Sequence, residues 1–392
     1  MDITIFPRKL CGTISAIPSK SHAHRLLICA AFADAPTTLI CRETNADIEA
    51  TAACLRALGA QIVRNEDGYH VIPVSQLPQK ATLPCGESGS TLRFLLPVAC
   101  ALGVEATFRM EGRLPQRPLS PLWEELERMG CRLTRPSENT ISCRGNLRPG
   151  DYTIDGGVSS QYITGLMLAL SLLPEESRLE ITGKLESAPY VHMTQKAMEQ
   201  FSVDWRKLGG QRFRSPGTIT VEGDWSNAAF FLAAKQLGQA VEVTDLSADS
   251  PQGDRAVQDI LPELSAGNAI ISAADIPDLV PILAVFAAAN HGAKFTDIQR
   301  LRLKESDRVA SVANMLNALG GCAEATESAL TIHPHALIGG TVDACNDHRI
   351  AMAAAIAATV CTQPVTILGA EAVNKSYPAF WAEYRRLGGK YE

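Results

Sequence analysis

Residues 19 to 33 read SKSHAHRLLICAAFA: a small polar start, then a run that is apolar on nearly every side. A helix of that pattern has no face to give to water and must lie inside a layer of other elements. Five further stretches have the same form. They are GESGSTLRFLLPVACALG from Gly86, DGGVSSQYITGLMLALSLL from Asp155, GDWSNAAFFLAAKQLG from Gly223, DIPDLVPILAVFAAA from Asp275 and NDHRIAMAAAIAATV from Asn346. Their return at roughly 50 to 70 residue intervals marks an internal repeat.

A second kind of helix lies between them, amphipathic and mostly closed by Gly or a turn: ADIEATAACLRALGA, SPLWEELERMG, YVHMTQKAMEQFSV, DRAVQDILPELSAG, ESDRVASVANMLNALGG and PAFWAEYRRLGG. Short alternating or β-branched runs flank several of these, such as QIVRNEDGYHVIP and AEATESALTIHP, and read as strands. The repeating unit is therefore a strand, a buried helix, a strand, an amphipathic helix and a closing hairpin. Six units in 392 residues make two similar α/β domains of three βαβαββ units each, with buried helices inside outer sheets. The Gly-rich strand before the fourth buried helix and the unpartnered strand ITIFPRK place the domains at 14–221 and at 1–13 plus 222–392. Gly12, Pro18, Pro216, Gly217 and Gly223 suit the crossings.

Composition narrows the function. A net charge of -6 argues against a nucleic-acid partner, whose usual footprint is a basic surface. The longest apolar runs are too short to span a bilayer, and MDITIFPRKL lacks the parts of a signal peptide, so a cytoplasmic protein without a membrane partner is expected. Eleven cysteines without a CxxC pair suit small buried hydrophobes in a reducing compartment. His22, His24, His333 and His335 lack the i,i+4 spacing of a helical zinc motif, and no metal is assigned.

Nearly all hydroxyl and charged residues of the buried helices fall at the amino end: Lys20, Ser21 and Arg25; Ser88, Gly89, Ser90, Thr91 and Arg93; Ser159, Ser160 and Gln161; Ser226 and Asn227; Asp275 and Asp278; Asp347, His348 and Arg349. Singly, a Ser, Thr or Asp there is an ordinary cap. Arg93 and Arg349 enter runs too apolar to face water and need a buried or cleft partner. Six positive helix ends aimed the same way would hold anions. One further turn, in RLKESDRVASVANML from Arg302, packs Lys304, Glu305, Asp307 and Arg308 ahead of an apolar face, with Ser306 or Asp307 as the cap. Taken alone, that turn reads either as an anion site with an acid attached or as a solvated capping region in which Glu305 and Arg308 form an exposed i,i+3 pair.

The segments PSKSHAHR, ESGSTLRF, QRPLSPL, DGGVSSQ, SAPYVHMT, VEGDWSNAAFF, DIPDLVP, RLKESDR, NDHRIAM and NKSYPAF, in that order, resemble the 5-enolpyruvylshikimate 3-phosphate synthases of the enolpyruvyl transferase family. The resemblance implies two domains that close on their ligands. It also implies cofactor-free transfer of the enolpyruvyl group of phosphoenolpyruvate to the 5-hydroxyl of shikimate 3-phosphate, by addition and elimination. By motif match, shikimate 3-phosphate would meet Lys20, Ser21, Arg25, Ser159, Ser160, Gln161, Ser187, Tyr190, Asp278 and Lys304. Phosphoenolpyruvate would meet Lys20, Gly89, Arg93, Arg117, Gln161, Arg308, Arg349 and Lys375. Asp278 matches the base towards the 5-hydroxyl and Glu305 the donor to the methylene carbon, with Lys20 beside the chemistry; burial is expected to keep Glu305 protonated. A monomer is expected.

Glu87 and Ser88, Phe94 and Arg300 depart from the family's commonest residues. Two rivals remain. The sister transferase acting on UDP-N-acetylglucosamine would show a Lys-Asn pair in the first motif and a Cys in the loop that here reads EGRLPQRP. A non-catalytic two-domain anion binder would have no use for a carboxylate beside its anion.

Overall fold

The computed structural model describes residues 1–392. The chain divides into two compact units, Pro18–Glu222 and Met1–Ile17 with Gly223–Glu392. The first crossing falls after Ile17, four residues beyond the expected place. Cys11–Ser15 pairs in parallel with Ala240–Thr244 as far as Ser15↔Thr244, which keeps this whole strand with the later half.

In the Pro18–Glu222 unit the helices are α1 (Lys20–Ala31), α2 (Ala46–Ala57), α3 (Gly89–Leu102), α4 (Leu122–Arg128), α5 (Ser160–Leu170) and α6 (Ala188–Gln200). The middle repeat is complete. Lys80–Gly86 and Glu105–Met110 pair in parallel across α3, and α4 leads to the hairpin Cys131–Ser137 and Thr140–Gly145, which adds antiparallel to Glu105–Met110. The first repeat takes its leading strand from far along the chain, Thr218–Thr220 pairing in parallel with Thr37–Ile40. The third is shorter than the repeat predicts: Asp151–Asp155 and Arg178–Thr182 form a two-stranded parallel sheet with no hairpin.

The other unit contains α7 (Trp225–Gln236), α8 (Val257–Ala266), α9 (Val280–Ala288), α10 (Arg308–Ala318), α11 (His348–Ala357) and α12 (Phe380–Arg386). Its middle repeat is again complete, with strands Ala269–Ser272, Ala293–Thr296, Ala329–His333 and Cys322–Ala325 in that sheet order. Its last sheet is finished by the amino terminus: Ile3–Phe6 lies antiparallel between Val365–Leu368 and Lys390–Tyr391. This is the late-half partner expected for ITIFPRK.

Each unit has its own core, and the repeat's apolar helices are the buried ones. Every residue of α9 and of α11 is buried. Eight of the eleven cysteines are buried too, and none is bridged. No helix is long and apolar enough to cross a membrane.

One close approach positions later chemistry. A Cβ on Gly165 of α5 would stand 2.2 Å from the Arg93 carbonyl oxygen of α3 and 2.8 Å from Pro97 Cγ. Pro97 has no N–H to give the Arg93 carbonyl four residues back, and the bare glycine lets α5 settle against that turn. Gly165→Ala should therefore force the helices apart and cost about 1–3 kcal/mol, read as a lower urea midpoint. An unchanged midpoint would show that the two helices do not depend on this contact.

Candidate active site

In the Met1–Ile17, Gly223–Glu392 unit, three helix starts bring a cluster of charge together. Asp307 caps α10, accepting from the N–H groups of Val309 and Ala310 at 3.1 Å each. Ser306 is not the cap: it is buried and its hydroxyl donates to Asp347 Oδ2 at 3.1 Å. Arg308, the first residue of α10, is 1% exposed. Its Nε donates to Asp347 Oδ2 at 2.8 Å, its Nη1 to Asp278 Oδ1 at 2.5 Å and its Nη2 to Glu305 Oε2 at 2.6 Å. Asp347 itself caps α11, accepting from the N–H of Arg349 at 3.0 Å.

Asp278 lies in the turn before α9, not within the helix. Lys304 Nζ stands 3.7 Å from its Oδ1. Arg349 Nη2 donates to its Oδ2 at 3.0 Å and Nη1 to its backbone oxygen at 3.2 Å. Lys375 donates to the Asn346 carbonyl at 2.8 Å, two residues before α11. The burial expected of Glu305 is only partial, its side chain keeping 25% exposure. Arg300 sits in the 3-10 turn Gln299–Leu303, and its charge is one of those bearing on Lys304.

The charges perturb one another strongly. Burial pushes the Asp278 carboxyl up, but Arg349, Lys304 and Arg308 together outweigh it and hold it well below the usual carboxylate range. Burial brings the Lys304 ammonium down to about 8, against the pull of Asp278. Asp347 is raised by burial and lowered further by Arg308, ending below its ordinary value.

In the Pro18–Glu222 unit, Ser19 caps α1 through the His22 N–H. Lys20 Nζ donates to Asp47 Oδ2 at 2.9 Å. Arg25 is 2% exposed, and neutral oxygens accept from it: Thr194 Oγ1 at 2.8 Å, Thr164 Oγ1 at 3.2 Å, the Tyr190 carbonyl at 2.9 Å and the Ser21 carbonyl at 2.6 Å. Its guanidinium also lies 5.0 Å from the Phe94 ring centroid, so the unusual phenylalanine supplies a cation-binding face. Burial lowers Arg25 to about 10, and burial drives His24 well below its ordinary value, helped by Lys20 and Arg25.

Nearby, Ser88 caps α3 through the Thr91 N–H at 3.2 Å. Arg93 Nη1 donates to Gln161 Oε1 at 2.8 Å and Nη2 to the Pro118 carbonyl at 3.0 Å. Gln161 Nε2 donates to Ser90 Oγ at 3.0 Å. A Cβ on Gly89 would stand 2.7 Å from Arg117 Nη1 and 2.9 Å from Arg93 Nη1, so two guanidinium groups converge on that helix start and a side chain there would have to displace them. Ser159 caps α5, Ser160 is buried in its first turn, and Ser187, with φ of 56°, precedes α6. Glu87 packs against Gly112.

The spacing of the sequence does not disclose several supporting residues. Asp47 is one of the acids in the first turn of α2, a pattern that marks a helix start and not a lysine partner. Thr164 is buried within the apolar α5 and Thr194 on the buried side of the amphipathic α6, where a hydroxyl breaks neither pattern. As for metals, Cys322, Glu324 and His333 offer donor atoms within 4.8 Å of one another on the hairpin that follows α10; the charge cluster does not include them.

The structure is that of an α/β protein with carboxylates set among cations at its helix starts, and the comparisons with known proteins specify its family. Along the whole chain the fold matches an EPSP synthase from Acinetobacter baumannii, with a TM-score of 0.79 at 23% identity, covering 100% of this chain and 99% of that one. It also matches the enolpyruvyl transferase NikO from Streptomyces tendae, with a TM-score of 0.75 at 16% identity, covering 100% and 98%. The family model described as EPSP synthase (3-phosphoshikimate 1-carboxyvinyltransferase) matches residues 6–384. Relatives named 3-phosphoshikimate 1-carboxyvinyltransferase are 37% identical in Clostridium kluyveri, over 100% of this chain and 98% of theirs, and 38% identical in Clostridium novyi, over 99% and 98%. The chain belongs to the EPSP synthase family.

Because Asp347 is fully buried and takes its charge partner from Arg308, Arg308→Ala should unfold more easily by about 3–5 kcal/mol. The depressed Asp347 acid sets the sign of its pH dependence: the pair's contribution is present above about pH 4 and is lost as pH falls through the lower folded value. Equal acid sensitivity in wild type and variant would refute this pairing.

Proposed function

We propose that this protein transfers the enolpyruvyl group of phosphoenolpyruvate to the 5-hydroxyl of shikimate 3-phosphate and releases phosphate. The observation that carries the reading is the sharing of Arg308 between Asp278 and Glu305, with Lys304 and Arg349 on the same Asp278. Two carboxylates among three cations serve a reaction that needs a base, an acid and neutralisation of several negative charges.

On this reading Lys20, Ser21, Arg25, Ser159, Ser160, Gln161, Ser187 and Tyr190, with Asp278 and Lys304, hold shikimate 3-phosphate. Lys20, Gly89, Arg93, Arg117, Gln161, Arg308, Arg349 and Lys375 hold phosphoenolpyruvate, whose planar carboxylate suits arginine forks. In the addition step the 5-hydroxyl oxygen bonds to C2 of phosphoenolpyruvate, its proton passes to Asp278, and C3 takes a proton from Glu305. In the elimination step C3 returns a proton to Glu305, the C2–O bond to phosphate breaks as the phosphate takes the proton held by Asp278, and the double bond reforms. Atoms and electrons balance without a cofactor.

Asp278 is a poor base while three cations hold it. Arrival of the anionic substrate supplies those cations with another partner and raises the basicity of Asp278 at the moment it is needed. We take the protein to act as a cytoplasmic monomer, which size-exclusion chromatography of the active protein would check.

The test is release of phosphate from phosphoenolpyruvate that requires shikimate 3-phosphate. Turnover with UDP-N-acetylglucosamine instead, or binding without turnover, would overturn the reading. Glu305→Gln should lower kcat by about two orders of magnitude or more while shikimate 3-phosphate still binds by calorimetry. Near wild-type rates would remove Glu305 from the chemistry.

A further inference from the structure

A carboxylate that none of the motifs includes stands behind the charge cluster. Asp254, in the 3-10 turn Gly253–Ala256 ahead of α8, is 3% exposed. Its Oδ2 accepts from the Ser226 hydroxyl in the first turn of α7. Ser226 Oγ in turn accepts from Arg349 Nη2 at 3.1 Å, and that same nitrogen donates to Asp278 Oδ2 at 3.0 Å. The chain Asp254, Ser226, Arg349, Asp278 thus links a buried acid on one turn to the assigned base on another, through an arginine assigned to phosphoenolpyruvate.

An acid kept only for packing would be expected to satisfy both oxygens, yet buried Asp254 Oδ1 finds no donor. The charged groups around it are Asp224, which caps α7, Asp278 before α9 and Arg349 on α11. Arg255, its neighbour in the turn, spends its Nη1 on the Ala248 carbonyl. We propose that Asp254 is a positioning residue for phosphoenolpyruvate binding: through the Ser226 hydroxyl it sets how firmly the Arg349 guanidinium is drawn back into the protein and away from the substrate anion. The proposal rests on the functional reading above, which gives Arg349 to phosphoenolpyruvate.

The direction follows from the charges. Burial, then the charge of Asp278, against the opposing Arg349, push the Asp254 carboxyl up to about 7. Below that value the group is a neutral acid. Above it the carboxylate polarises the Ser226 hydroxyl, whose oxygen becomes a stronger acceptor for Arg349, and one more negative charge faces the place an anion must occupy. Both effects weaken phosphoenolpyruvate binding as pH rises, and neither acts on the residues assigned to shikimate 3-phosphate in the Pro18–Glu222 unit.

The test is steady-state kinetics of full-length wild type, Asp254→Asn and Ser226→Ala across about pH 6 to 8.5. The ratio of the wild-type KM for phosphoenolpyruvate to that of Asp254→Asn cancels the substrates' own ionisation. It should rise about three- to tenfold across that range, and by more than the corresponding ratios for kcat and for the shikimate 3-phosphate KM, which the chain reaches only through Asp278. Ser226→Ala, which leaves the carboxyl in place but cuts the link, should lose most of that pH-dependent rise. A KM ratio that is constant with pH overturns the proposal, as does a Ser226→Ala enzyme that keeps the wild-type profile. If Asp254→Asn does not fold, Ser226→Ala alone decides by the same criterion. Absence of turnover in wild type would instead overturn the functional reading.

Discussion

The constraint on which the unit containing α7 to α12 depends is the burial of one guanidinium among three carboxylates. Arg308 has five N–H groups and almost no exposure, so desolvation must be offset by partners on several sides. Asp347, Glu305 and Asp278 supply them from three separate segments. The geometry fixes more than a salt bridge. Asp347 also caps α11 and receives the Ser306 hydroxyl, so the start of α10, the start of α11 and the turn before α9 are registered through one side chain. The packing of the apolar helices sets their axes; this network sets which charged groups face one another.

The same repeat solves the burial of arginine differently in the Pro18–Glu222 unit. Neutral acceptors and an aromatic ring hold Arg25, so its positive charge is left uncancelled by a direct carboxylate partner. On the proposed reading such a site suits the phosphate of a substrate. The other unit pairs its buried arginines with acids, and those cations hold Asp278 below the usual carboxylate range. The two units thus differ in the partners given to their buried arginines, on helix starts of similar form.

Much of the fold was legible because a helix apolar on all faces admits one placement, and six of them at regular spacing admit few layouts. The candidate site was legible for a related reason. In such a helix a charged residue is costly away from the ends, so Arg93 and Arg349 advertised themselves by entering runs too apolar to face water. What was not legible lies off that pattern. The third repeat of the Pro18–Glu222 unit lacks its hairpin, because a repeat inferred from helices does not count edge strands. Ser306 looked as good a cap as Asp307, and only the position of Asp347 decides between them. Asp47 and Asp254 sit in turns where an acid is the ordinary choice, so their residue type carried no signal; their partners are far off in sequence.

A base held by three cations is chemically quiet, and on the proposed reading that quietness has a use. Phosphoenolpyruvate is an activated enol phosphate, and a free carboxylate beside it with water present would invite hydrolysis. If Asp278 regains basicity only as the arginines turn to the substrate anion, activation waits for the substrate instead of standing ready for solvent. The same coupling explains why function and stability share residues here. Arg308, one of three cations that lower Asp278, is anchored by Asp347, and on the proposed reading that bond to α11 leaves its remaining N–H groups to be exchanged between protein carboxylates and substrate.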